Sequence, residues 1–359
     1  MARTPSPEFA LVVACCLWNF IGASNERPPL AANLDWHAIL TVVRFHRVQG
    51  LVWNAIAPHA STIPDPVRDE LASDARTIAA SSLATANESD ELSCAATGVF
   101  PLLFLKGPAL ASLVYKEPTA KTAVDIDLLI EPSDLGQAAD LLRKRGYDQI
   151  IPSRGRDLVQ WHRGLKESVW TKANPPFQID LHTRVADNPH LIPDITARSP
   201  YQSTETGRGR QLRTLADEEL FAYLVIHGAS SAWFRLKWIS DFAGFLQPKS
   251  PAEIGRLYRR SQELGAGRAA DQGLLLADRL FGTLTGNDAL RRELLRDRAT
   301  RYLVTTSLSL LARRPSEPTE RFLGTLPLHL NTFLLKPGLQ YKLSELAGEG
   351  GRLLNRFAG

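Results

Sequence analysis

Apolar positions change their spacing twice along this chain, and the changes divide it into three regions. Up to about residue 97 the spacing is helical. Residues 9–18 read as a first helix. Asp35 stands before Trp36 as a cap, and Ile39, Leu40, Val43, Phe45, Val48, Leu51 and Val52 recur mostly at helical intervals. Leu71, Ala75, Ile78, Ala79, Leu83 and Leu92 do the same over residues 66–96, where Gly98 supplies a stop.

Beyond Gly98 the period shortens. Residues 99–105 (VFPLLFL) form a brief apolar run ending in Lys106-Gly107, which predicts a buried strand. Residues 108–115 predict a short helix, and Lys116-Glu117-Pro118 a turn. Residues 124–130 (VDIDLLI) alternate before becoming wholly apolar, a second strand. Pro132 and Ser133 open a helix through Leu135, Ala138, Ala139, Leu141 and Leu142, closed by Gly146. Residues 177–185 (FQIDLHTRV) alternate again as a strand, and the polar stretch with Trp161 and Trp170 before them reads as a hairpin or strand pair. Residues 199–213, rich in Ser, Thr, Gly and Arg, read as a linker. Helices then resume, with capping-box-like starts at Thr214/Asp217 and Ser250/Glu253 and glycine ends at Gly265 and Gly282. The expected class is α+β: a small mixed sheet in a core at residues 98–200, flanked by helical regions at 1–97 and 201–359.

Composition narrows the picture only a little. The chain is 44% hydrophobic and 22% charged, as ordinary globular proteins are. Lys and Arg number 42 against 38 acids, and a net charge of +4 is too small to argue for non-specific nucleic-acid binding. No basic-aromatic interleaving suited to tracking a strand appears, and Trp161, Trp170, Trp233 and Trp238 read as packing. Cys15, Cys16 and Cys94 form no framework and no metal-ligand spacing, so a reducing, cytoplasmic compartment is expected. Residues 9–18 are too few to span a membrane, and Glu8 before them with Trp18-Asn19 at their end favours an ordinary helix over a signal peptide.

The acidic residues carry the chemistry. On a strand Asp125 and Asp127 project the same way, between apolar neighbours. Two like charges side by side there repel unless something positive lies between them, and magnesium is the obvious candidate. Asp180 lies in another apolar strand, on the same face as Gln178 and His182. If the two strands are neighbours, three carboxylates converge, the minimum for a two-metal in-line phosphoryl or nucleotidyl displacement. Neutralising Asp127 is then expected to stop turnover and, by relieving repulsion, to leave the fold nearly intact.

In this order, LKGPALASLVY (105–115), VDIDLLI and QIDLH (178–182) resemble the DNA polymerase beta-like nucleotidyltransferase superfamily. The chain looks most similar to a bacterial family of uncharacterised nucleotidyltransferases whose glycine motif is Lys-Gly. The resemblance implies a polymerase beta-like core, a magnesium or manganese cofactor, and an NTP as substrate. Carried over, Asp125 and Asp127 would bind the metals, and Asp180 would hold the second metal or act as base on the acceptor. Gly107 would admit the triphosphate near the start of the following helix, with Lys106, Lys121 and His182 about the nucleotide. Two residues depart from the pattern: Pro108 follows Gly107 where Ser or Gly is usual, and Lys121 stands where Arg is frequent. The acceptor would carry a hydroxyl or phosphate, on a small molecule or on a modified peptide such as a lasso peptide. A catalytically silent nucleotide-binding module and a metal-dependent phosphoesterase are the alternatives.

Residues 227–246 (HGASSAWFRLKWISDFAGFL) resemble a helical motif of the same family. On one straight helix His227 and Asp241 would lie about 21 Å apart, so they can meet only if the chain breaks near residues 228–231. Arg235 and Lys237 suit either substrate phosphate or a wet face.

Overall fold

The computed structural model describes residues 6–31, 33–153, 155–206, 209–313, 316–318 and 324–357, with side chains to residue 348. Four helices lead: α1 (Pro7–Trp18), α2 (Trp36–His46), α3 (Gln49–Ile56) and α4 (Asp65–Ala96). Asp35 caps α2 by accepting from the Ala38 N–H at 3.0 Å. The apolar run after α4 yields only β1 (Leu103–Phe104), because its first residue, Val99, is 52% exposed and Pro101 gives no donor. Next come α5 (Pro108–Val114), β2 (Ile126–Leu129), α6 (Leu135–Lys144), β3 (Asp148–Ile151), α7 (Leu158–Gly164), β4 (Glu167–Lys172) and β5 (Phe177–His182).

These strands form one mixed sheet in the order β1-β2-β5-β4-β3, with β2 and β5 parallel and the other pairs antiparallel. Its two faces divide by residue parity. Phe104, Ile126, Leu128, Trp170, Ile179 and Leu181 meet Leu135, Ala138, Ala139 and Leu142 of α6 in a closed apolar cluster. The opposite face carries Asp127, Asp180 and His182, bordered by Leu103 and Leu129, which belong to the helical core.

The segment read as a linker is instead a hairpin, β6 (Tyr201–Thr206) and β7 (Arg210–Leu215); Gly207 and Arg208 lie outside the described residues. Its inward positions are Thr204, Thr206, Leu212 and Thr214, so threonine takes places where aliphatic residues would have revealed the strand. Thr214 therefore caps nothing: α8 (Asp217–Ser230) starts after Ala216 without a side-chain cap. The chain breaks after α8, with Ala232 and Trp233 at positive φ and Trp233 folded back on Gly228, where a Cβ would lie 2.2 Å from its ring. Helices α9 (Leu236–Leu246), α10 (Pro251–Glu263), α11 (Arg268–Phe281), α12 (Asp288–Leu294), α13 (Arg298–Leu311), α14 (Leu326–Leu334) and α15 (Leu339–Phe357) follow. The expected box at Ser250 and Glu253 caps α10, and Gly282 ends α11 in left-handed backbone. One core joins the first helices to the last, from Val12 and Ile39 through Trp233 and Phe242 to Leu274 and Leu303. Among the described residues no helix is long and apolar enough to cross a membrane.

Candidate active site

Parallel pairing of β2 with β5 sets Asp127 directly beside Asp180. Because alternate residues share a face, His182 joins them, and ligand atoms of these three side chains all lie within 4.8 Å of one another. Asp127 is 4% exposed. Its Oδ1 is ion-paired with Lys106 Nζ at 3.0 Å and lies 3.2 Å from His182 Nε2, while its buried Oδ2 has no hydrogen-bond partner. Burial alone would raise its pKa. The Lys106 ammonium, the His182 contact and the more distant His227 outweigh that and hold the carboxyl well below the usual range.

Asp180 behaves oppositely. Burial first, then Asp127, with Asp125 and Glu167 adding, push it up to about 6, although Gln178 Nε2 donates to its Oδ1 at 2.9 Å. Asp125 stands just before β2, half-buried and outside the tight trio, yet its charge acts on both Lys106 and Asp180. Glu167, which the sequence did not single out, pairs with His182 across β4 and β5 and brings Oε2 to 3.2 Å from Nδ1, misaligned for a hydrogen bond. Its only sequence signal is its place in the polar stretch that forms β4.

Lys106 is the positive group paired with Asp127 and within electrostatic reach of Asp125. Its burial would lower its pKa, but Asp127, Tyr223 and Asp125 raise it well above the ordinary value. Gly107 adopts φ 67° and ψ −136°, a conformation open to glycine, and comes close to the Asp125 carbonyl. Lys121 reaches Asp241 Oδ2 at 3.2 Å, and Tyr115 Oη donates to Asp241 Oδ1 at 2.8 Å. The break after α8 thus brings α9 against the site, but His227 and Asp241 take separate partners. His227 stacks on Tyr223 with ring centroids 5.8 Å apart, and its Nε2 is buried without a partner. Burial first, then Lys106, hold its pKa well below the ordinary value. A cavity of about 640 Å³ opens beside Gly107, lined by Leu83, Asn87, Ala111, Tyr115, Lys121 and Thr206.

The donor set suits a divalent cation. Two carboxylates and an imidazole supply oxygen and nitrogen ligands, and the unpartnered Asp127 Oδ2 is a buried anionic oxygen that a cation would satisfy. Fold and site together define an α+β protein with a candidate divalent-cation centre on a small mixed sheet. The chain belongs to the uncharacterised nucleotidyltransferase family, whose model matches residues 32–282. That membership supports transfer of a nucleotidyl group from an NTP as the general activity. Among curated proteins none matches the chain.

Proposed function

We propose that this chain is a divalent-cation-dependent nucleotidyltransferase with a polymerase beta-like core of the Lys-Gly variant. It moves a nucleoside monophosphate from an NTP to a hydroxyl or phosphate acceptor and releases pyrophosphate. The observation that carries this reading is the juxtaposition of Asp127, Asp180 and His182 on adjacent parallel strands, with one carboxylate oxygen buried and unpartnered. Magnesium or manganese held there, with Asp125 at its edge, would neutralise phosphate charge and polarise the α-phosphate. Lys106 holds Asp127 ionised and so keeps it ready as a ligand. Gly107 leaves the backbone beside Asp125 free of side chain, where a nucleotide can approach. The cavity beside Gly107 has an apolar wall at Leu83 and Ala111 and suits an acceptor of small-molecule size or a peptide side chain.

A screen of the four NTPs with magnesium or manganese tests this directly. Pyrophosphate release with at least one NTP, lost in chelator, is the expected outcome. Orthophosphate release would mean a phosphoesterase, and nucleotide binding without turnover or cation dependence would mean a silent module.

A further inference from the structure

Three cations stand on chain segments that are tied to one another, and one of them, Lys237, lies within electrostatic reach of Asp125. Arg47 ends α2 in left-handed backbone, Lys121 lies in the loop before β2, and Lys237 is in the first turn of α9. Thr122 Oγ1 donates to the Arg47 carbonyl at 3.3 Å, and the Leu236 N–H donates to His46 Nδ1 at 3.1 Å. Lys121 reaches Asp241 on α9, and the Arg235 guanidinium donates to the Phe45 carbonyl. The corner after α2, the loop before β2 and the start of α9 therefore make one wall.

That wall has an excess of positive charge. Lys106 is paired with Asp127 and Lys121 with Asp241. Among the described residues, neither Arg47 nor Lys237 has a carboxylate at ion-pair distance. Lys237 is half-buried, and burial first, then Lys121, Lys106 and Arg47, bring it down to about 8 against the attraction of Asp125. Arg47 also presses on Arg235. Partly desolvated cations facing one another favour an anion among them, and low-dielectric walls strengthen that field.

We propose that Arg47, Lys121 and Lys237 form a polyphosphate subsite beside the carboxylate cluster, holding the β- and γ-phosphates that leave as pyrophosphate. The identity of this ligand rests on the nucleotidyltransferase reading. In the transfer the acceptor oxygen bonds to the α-phosphorus and the bond from that phosphorus to the α–β bridging oxygen breaks. The electron pair stays on the bridging oxygen, the acceptor's proton passes to a base or solvent, and the subsite stabilises the charge gained by the leaving group. The family match begins before α2 and ends just after α11, so it includes the helices carrying both Arg47 and Lys237. A match confined to the sheet would have left these two residues outside.

The test uses the full chain and inorganic tripolyphosphate, titrated calorimetrically in chelator. Lys237→Met and Arg47→Asn, the latter suited to left-handed backbone, should each weaken binding by about tenfold or more, as loss of a charge-assisted contact does. Lys237→Arg should restore most of it, which separates lost charge from a disturbed fold. In turnover, Lys237→Met should lower kcat/KM for the NTP with Lys237→Arg intermediate. Wild-type affinity for tripolyphosphate in both charge-removing variants would overturn the subsite, whatever the NTP screen reports. Tripolyphosphate binding that depends on both residues, in a protein that turns over no NTP, would keep the anion subsite and defeat the transferase reading.

Discussion

The two faces of the five-stranded sheet are built by the same strands and differ only in residue parity. On one, Ile126, Leu128, Ile179, Leu181 and Trp170 are at most 2% exposed and pack on α6. On the other, one residue along each strand, Asp127, Asp180 and Glu167 crowd their carboxylates around His182. The apolar face needs nothing further, since its buried side chains form one cluster and Trp170 Nε1 donates to Ser168 Oγ at 3.0 Å. The polar face leaves Asp127 Oδ2 without a partner and Asp180 with a raised pKa. Asp180 gains no stability from such surroundings, and an unsatisfied anionic oxygen beside it argues for a ligand.

The largest effect expected from breaking this contrast comes at Asp127. Asp127→Asn should reduce pyrophosphate release to background, and full activity in that variant would remove Asp127 from the ligand set. From sequence, neutralising one of several crowded carboxylates should leave the fold nearly intact. The Lys106 contact reverses that expectation, because the variant strands a mostly buried ammonium without its counter-charge. A loss of roughly 1–3 kcal/mol in urea unfolding is therefore expected beside the lost activity.

On the apolar face the same kind of truncation should act on stability alone. Trp170 is fully buried there, and Trp170→Ala should cost about 3–5 kcal/mol in urea unfolding. Cation dependence of any surviving turnover at low temperature should match wild type. A changed cation requirement would show that the two faces are coupled through the strands rather than separate.

This contrast also decides what could be read in advance. Asp127 and Asp180 are legible because each stands in a short apolar strand where polar and apolar residues alternate up to it, and alternation fixes the face. The hairpin at β6 and β7 was not, because threonines fill its inward positions and hide the period. Thr214 looked like a cap for the same reason, being a polar residue placed inside a strand. The partners of Lys106 and Lys121 were illegible for another reason. Asp127 and Asp241 reach them only through the sheet register and the turn after α8, and no local pattern encodes either. Arg47 carries no signal of its own, since an arginine at a helix end is ordinary unless a second cation such as Lys237 lies near it.

The smallest effect concerns Asp180, and a carboxyl in the helical region sharpens it. Asp180 and Asp271 of α11 are both pushed up to about 6, each by burial first. Asp271 is then held by hydroxyls, accepting from Thr300 Oγ1 at 3.2 Å, whereas Asp180 faces Asp127, Asp125 and Glu167. A carboxyl with a native pKa above its unfolded value of about 4 binds its proton more tightly when folded. The native state then holds more protons between the two values, so stability falls as pH rises from about 4 through about 6 and levels off above. In chelator, Asp180→Asn should exceed wild-type stability at pH 7.5 by about 1 kcal/mol, discounted for partial solvent access, and lose the gain near pH 4.5. Manganese should raise wild-type stability most at the higher pH, where Asp180 is ionised, and so flatten the part of the slope that Asp180→Asn removes. The part belonging to Asp271, read from Asp271→Asn, should not respond to the metal. If manganese flattens neither slope in melts from pH 4.5 to 7.5, Asp180 is a strained carboxylate and not a cation ligand.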